Sequence, residues 1–210
     1  KSIRRFTAAI PPRSLILECL EAASWAPNPT TQQPWKFIVL SGASLTRICQ
    51  VIKENFAAAA GRKAQQPAPA ISRDTERMLA ARKHESFSEM MAFLKSSGLD
   101  IQAIGEGNFA FHGAPLAVLF AVYPCKDQNF FKATVAAMQN FMLAAVSRGL
   151  GTCWMNAVSI CQEYIKQELG LPAELIFVDG LAVGYPDGQS PLNQIPRQRL
   201  PVDQVTEWRE

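Results

Sequence analysis

The side chains able to take part in chemistry are few, and they do not form an acid–base or nucleophilic apparatus. The chain has only two histidines, His84 in a charged stretch and His112 ahead of an apolar run, and neither has a carboxylate or cysteine at metal-ligand spacing. Both are read as surface or structural residues. No G-x-S-x-G elbow, P-loop or H-E-x-x-H is present. Gly105-Glu106-Gly107-Asn108-Phe109-Ala110 matches G-x-G-x-x-A. A dinucleotide fingerprint needs strand, turn and helix in that order, and no strand of usable length precedes Gly105, so the match is read as chance. The cysteines, Cys19, Cys49, Cys125, Cys153 and Cys161, are odd in number and contain no C-x-x-C pair. That argues against a disulfide framework or a zinc site and for a reducing, cytoplasmic compartment. An enzyme with this inventory is expected to leave its reaction to a bound cofactor.

Four polar segments could hold such a group. The first is the basic "KSIRRF" at residues 1 to 6. The second, "ASWAPNPTTQQPW" from Ala23 to Trp35, carries three prolines and five amide or hydroxyl side chains after its first tryptophan. Prolines fix φ and lower the entropy lost on ordering, while neutral donors can bond a ligand without adding a titratable group. The third is "GLGTCWMNAV", Gly149 to Val158, whose glycines permit close backbone approach. The fourth is "PRQRLP", with Arg197 and Arg199. Taken singly, the first three also read as a solvated basic terminus, a proline-rich connector, and a helix end running into a buried strand.

The elements that must position these segments follow from periodicity. Pro11 and Pro12 suit a helix start, and Leu15, Cys19, Leu20 and Ala23 recur at helical spacing, so a helix is expected to run to about Ser24. A short strand at Lys36 to Leu40 follows, then a helix with the stripe Leu45, Ile48, Ile52 and Phe56 that ends near Gly61. Residues 61 to 72 have linker composition, and 73 to 97 read as a charge-rich helix. The region from about 61 to 112 is expected to be a lid or dimer arm of a single domain spanning 1–210. Pro115 to Tyr123 reads as a buried strand, and Phe130 to Arg148 as a helix apolar on nearly every face and so buried on all sides. Ser159 with Gln162 resembles a capping box for a helix to Leu169, and a last strand covers Leu175 to Val183. The order suggests mixed α and β around one sheet.

Composition sets the outer bounds. The net charge of +3 from 21 basic and 18 acidic residues is too small and too scattered to indicate a nucleic-acid partner. The longest apolar runs fall short of the roughly 20 residues needed to cross a bilayer, and no membrane partner is expected. The N-terminus has no signal-peptide pattern, and because the chain begins at Lys1 without a methionine, further residues before it are expected.

Together, in order and over nearly the whole chain, these segments resemble the nitroreductase family of FMN-dependent oxidoreductases. "KSIRRF" is similar to the family's N-terminal basic-Ser-x-Arg-x-Phe motif. The resemblance implies that Lys1 and Ser2 reach the FMN phosphate and ribityl chain and that Arg4 lies near the flavin pyrimidine edge. The proline-rich stretch resembles the A-P-S-x-x-N-x-Q-P-W loop that one subunit donates to the flavin held mainly by the other, which implies contacts from Pro27, Asn28, Pro29 and Gln33. Asn28 stands where serine is usual, and Thr31 where asparagine is common. "GLGTCWMNAV" resembles the connection whose backbone N–H groups approach flavin N5 and O4, implying that role for Met155, Asn156 and Ala157. Arg197 and Arg199 resemble the basic pair that binds FMN phosphate, where guanidinium forms charge-assisted bonds. The family further implies an α+β nitroreductase-like fold, with a central, mostly antiparallel sheet surrounded by helices in an intertwined homodimer. It implies two FMN sites at the subunit interface and a ping-pong transfer from NADH or NADPH to a small-molecule acceptor, nitroaromatic or quinone. No side chain is expected to serve as a catalytic acid or base. A related FMN enzyme performing reductive dehalogenation or flavin breakdown, or a non-catalytic flavin-binding protein, is the alternative.

Overall fold

The computed structural model describes residues 1–65, 70–124 and 128–209. Four strands, β1 (Trp35–Ser41), β2 (Leu116–Val122), β3 (Gly151–Met155) and β4 (Ile176–Gly184), form one sheet in the order β1-β2-β4-β3. Every neighbouring pair is antiparallel, so the α+β reading with an antiparallel sheet holds. Strand β2 is the spine, all seven of its residues being buried. Its alternate side chains explain this, because Ala117, Leu119 and Ala121 pack to one face while Val118, Phe120 and Val122 pack to the other.

Two helical layers cover those faces. Helices α1 (Arg13–Ser24) and α5 (Asn129–Ser147) close one side through Ile16, Cys19, Met138 and Phe141. Helices α2 (Gly42–Ala64), α6 (Ala157–Ile160) and α7 (Gln162–Leu169) close the other through Ile48, Ile52, Val158 and Ile165. Burial of each such side chain contributes about 1.5–3 kcal/mol. Helices α3 (Arg73–Ser96) and α4 (Gln102–Gly107) lie between α2 and β2 in the chain. Contacts divide the chain into two compact units, Lys1–Pro67 with Gln102–Asn193, and Ala68–Ile101 with Gln194–Glu210. In the second, Ser72 caps α3 by accepting from the Thr75 N–H, and the Gln198 amide donates to Glu89. No described helix is long and apolar enough to cross a membrane.

Several expectations need correction. β3 is a strand that periodicity did not single out. Helix α2 passes Gly61 and ends at Ala64, because the flanking Ala59, Ala60, Arg62 and Lys63 are good helix formers that outweigh about 1 kcal/mol for one glycine. Residues 66–69 of the expected linker, and Cys125, lie outside the described residues. Ser159 and Gln162 form no capping box: the Ser159 hydroxyl donates to the Asn156 carbonyl, and Gln162 Oε1 accepts from the Phe177 N–H. Within a single chain helix α5 buries only part of its surface. Met138 and Phe141 sit in the chain's own core, whereas Leu143 and Val146 are 61% and 62% exposed.

Candidate functional site

The edge of β3 is where the first and third polar segments meet. The Ile3 N–H donates to the Thr152 carbonyl at 2.9 Å, and the Thr7 N–H donates to Tyr185 O, so residues 1 to 7 run along the sheet beside β3. Only glycine at 151 allows this, since a Cβ there would lie 2.6 Å from Ile3 Cγ1. Asn193 then clamps the segment. Its Oδ1 accepts from the N–H groups of Arg4 (2.7 Å) and Arg5 (3.1 Å), and its Nδ2 donates to the carbonyls of Arg5 and Asp187. Lys1 is exposed and Ser2 half-buried. The Arg4 guanidinium is held with Nε and Nη1 buried and no partner for either. A charged donor in that position is costly unless an acceptor meets it.

The third segment reverses direction at the end of β3 away from this clamp, where Met155 pairs with Gly180. Met155 ends β3, Asn156 occupies the cap position of α6, and Ala157 is the first helical residue. Met155 and Ala157 are buried and Asn156 is exposed. The Asn156 side chain makes no capping bond, and the first N–H groups of a helix lack intrahelical acceptors, so the turn offers backbone donors. Nearby, Trp154 Nε1 donates to Asp179 Oδ2 at 2.7 Å. Burial raises the Asp179 pKa above the usual carboxylate range, against the opposing hydrogen bonds from Ser159 and Trp154.

His112 is neither a surface residue nor a structurally satisfied one. It lies in a 3-10 turn, Phe111–Gly113, where Phe111, His112 and Gly113 all have left-handed φ of 46°, 53° and 70°. The residue is 4% exposed, and its buried Nε2 has no hydrogen-bond partner. Burial, helped by the positive charge of Arg4, lowers its pKa to about 4, so the imidazole is neutral at physiological pH. Gly107 makes room for it, since a Cβ there would fall 2.1 Å from His112 Nδ1. The G-x-G-x-x-A stretch is thus part of α4 and the turn after it, with no preceding strand.

The proline-rich loop lies at the other edge of the sheet, leading into β1, with β2 and β4 between it and β3. Three strand spacings separate the two edges by about 14 Å. Pro27 and Gln33 are exposed, and Asn28 and Pro29 half-buried. The loop is braced by its own side chains: Asn28 Oδ1 accepts from the Gln33 N–H (2.8 Å), Asn28 Nδ2 donates to Ala26 O, and Gln32 Nε2 donates to Thr30 Oγ1. Arg197 and Arg199 belong to the second compact unit. There Arg197 Nη1 donates to the carbonyls of Ile195 and Pro196, and Arg199 Nη1 to Gln198 O. The structure therefore lays the segment of Lys1, Ser2 and Arg4 against β3, the strand that ends at Met155, Asn156 and Ala157, and leaves the loop of the same chain at the other edge of the sheet. Among the described residues no cluster of His, Cys, Asp or Glu could hold a metal ion.

Two functional candidates escaped sequence reasoning. Asn193 carries no motif, although an amide set among the prolines Pro191 and Pro196 is a weak turn signal. His112 was visible but misjudged, because its burial depends on Gly107 folding back onto it.

Comparison with known proteins agrees with this geometry. The chain is 27% identical over 195 residues to a nitrobenzene nitroreductase of Ectopseudomonas oleovorans, covering 91% of this chain and 86% of that one. It is 27% identical over 208 residues to a 4-nitrobenzoate reductase of Pseudomonas putida, covering 95% and 87%. In fold it matches the FMN-dependent nitroreductase NfnB from Mycobacterium smegmatis, solved in complex with NADPH, with a TM-score of 0.82, 21% identity and coverage of 100% and 94%. Since the Nitroreductase family model also matches residues 1–185, the chain belongs to the Nitroreductase family.

Proposed function

We propose that the protein is an FMN-dependent oxidoreductase that uses NADH or NADPH to reduce nitroaromatic or quinone acceptors. One observation carries the reading: the Arg4 guanidinium has two buried nitrogens without acceptors, in a segment that pairs with the strand whose far end, at Met155 to Ala157, offers backbone N–H donors. The pyrimidine edge of a flavin is planar and rich in carbonyl and ring-nitrogen acceptors, so the residues present fit the group. The nitrobenzene and 4-nitrobenzoate reductases among the relatives support the acceptor class.

When bound, FMN supplies two-electron transfer, accepting from the reduced nucleotide and passing to the acceptor in separate half-reactions. The chain's own part is positional and electrostatic. Arg4 supplies fixed positive charge at the pyrimidine edge, where reduction builds negative charge. Asn193 holds Arg4 in place through the backbone. Backbone donors at Met155, Asn156 and Ala157 orient the opposite side of the ring. Lys1 and Ser2 take the phosphate and ribityl chain. Pro27, Asn28, Pro29 and Gln33 come from a second copy of the chain, a division supported by the roughly 14 Å that separates the loop from β3 within one chain. The exposed apolar side chains Leu17, Leu143 and Val146 on α1 and α5 support a homodimer. Helix α3, with exposed Met78, Leu79 and Phe87, is the segment we assign to a lid or dimer arm. The thiols of Cys19, Cys49 and Cys161, together with the need for reduced nucleotide, support a cytoplasmic location.

The purified protein should be yellow, bleach anaerobically with NADH or NADPH, and regain colour with 4-nitrobenzoate or a quinone. A protein that takes up no FMN when supplied with it would sink the reading. Leu143→Asp should yield a monomer with weakened FMN binding by light scattering and absorbance, whereas Met138→Asp should unfold the chain.

A further inference from the structure

Among the described residues four buried side-chain polar atoms have no hydrogen-bond partner, and three belong to two side chains: Arg4 Nε, Arg4 Nη1 and His112 Nε2. We propose that His112 is a ligand-contacting residue of the same site, a neutral imidazole that shares with Arg4 the recognition of one planar, nitrogen-rich heterocyclic edge presenting both donors and acceptors. This rests on the flavin reading above, under which that edge is the pyrimidine side of FMN.

Three independent features support it. First, the turn that carries His112 places two non-glycine residues in succession in the left-handed region, Phe111 at φ 46° and His112 at 53°. Such conformations persist only where the surroundings enforce them, and they cluster at functional sites. Second, the ring is admitted by a missing side chain, since any Cβ at Gly107 would fall 2.1 Å from His112 Nδ1. The chain thus gives up both local backbone preference and a side chain in order to bury a polar ring whose Nε2 no protein group meets. Third, His112 is anchored at the level of the proposed flavin contacts. Phe111 packs in the same apolar cluster as Met155, Ala157 and Val158, and residues 1 to 4 run along β3 through the Ile3 to Thr152 bond.

Charge explains the division of labour. Arg4 can only donate, so it serves acceptors. A second cation beside it would repel, and burial together with Arg4 keeps the imidazole uncharged until about pH 4. A neutral imidazole can present either an N–H or a lone pair at Nε2, which suits an edge where a ring N–H lies next to a carbonyl.

The experiment follows the ¹⁵N resonances of the His112 imidazole in the apoprotein while FMN is added, and measures FMN affinity for His112→Phe, His112→Gln and Gly107→Ala by fluorescence quenching. In the parent, FMN should shift the Nε2 resonance while the ring stays neutral between pH 5 and 8. H112F should lose at least tenfold in FMN affinity while its apoprotein melts no lower than the parent, since the variant removes an unpaired buried nitrogen. A purely structural histidine would lower the melting temperature instead. H112Q should recover affinity to within about threefold of the parent, and G107A should lose affinity as H112F does. An unmoved Nε2 resonance, or H112F binding FMN within twofold of the parent, would overturn the assignment of His112 while leaving the flavin reading intact. A parent that binds no FMN would overturn both.

Discussion

Two short segments of this chain adopt left-handed backbone without glycine, and they do so in opposite surroundings. Thr30, Thr31 and Gln33 have φ of 45°, 56° and 47° in the loop before β1, where all three are exposed. Phe111 and His112 have φ of 46° and 53° in the turn before β2, where both are buried. Each such residue costs about 1–2 kcal/mol in backbone strain. In the loop the strain is held by local side chains, chiefly Asn28 and Gln32. In the turn it is held by the core, through Phe111, which is fully buried in the apolar cluster that also contains Met155, Ala157 and Val158. The contrast teaches that strain can prepare a site in two ways. One fixes a group inside its own chain, and the other stiffens an outward-facing surface for something that arrives later.

The largest test of the inward arrangement is Asn193→Ala. It leaves the N–H groups of Arg4 and Arg5 without their acceptor and should cost about 3 kcal/mol of stability by urea denaturation. FMN affinity should fall with it; a stable variant that binds FMN as the parent does would show that the clamp is dispensable. Next comes acid sensitivity. The folded His112 stays neutral to about pH 4, whereas an unfolded histidine takes up a proton near pH 6.5, so its contribution to stability is full above about 6.5 and declines as the pH falls to 4. The apoprotein should lose at most about 3 kcal/mol across that window relative to His112→Phe. Parallel stability profiles for the two proteins would place His112 in contact with water. Smaller effects belong to the loop. Asn28→Ala removes the acceptor for the Gln33 N–H and should cost about 1 kcal/mol in the isolated chain. If FMN retention in the dimer falls by much more than that predicts, the loop's order serves the ligand and not the fold. Least of all, Thr30→Gly should relax the strain and change stability by under about 1 kcal/mol, because glycine's entropy offsets most of the relief. A loss of several kcal/mol would mean that the loop is held by more than its own side chains.

Much of the fold was legible because its signals are periodic. The stripe of α2, the apolar β2 and β4, and the proline start of α1 each repeat over several residues, and neighbours reinforce each reading. β3 was offered only as one reading of its segment, because five residues containing glycine and tryptophan, directly after a helix end, are too few to show alternation. Its strand character comes from pairing with β4, a partner 25 or more residues away. Within the candidate site, Arg4 and the turn at Met155 to Ala157 were legible as motifs, and the backbone pairs Ile3 with Thr152 of the strand that leads to that turn. Asn193 and the burial of His112 were not, because each depends on contacts that no local pattern encodes: Asn193 on residues at the far end of the chain, His112 on a glycine five positions earlier.

The clamp also has a consequence for biosynthesis. The bond between the Arg4 backbone and Asn193 joins residues 189 positions apart, so the segment around Arg4 cannot settle until Asn193 has been made. At ordinary translation speeds that delay is roughly ten to forty seconds. Throughout it the basic N-terminal segment has no seat beside β3, since β3 itself is built late. A nascent chain stalled short of Asn193 should therefore be unable to hold Arg4 in its clamp, however much of its core has formed.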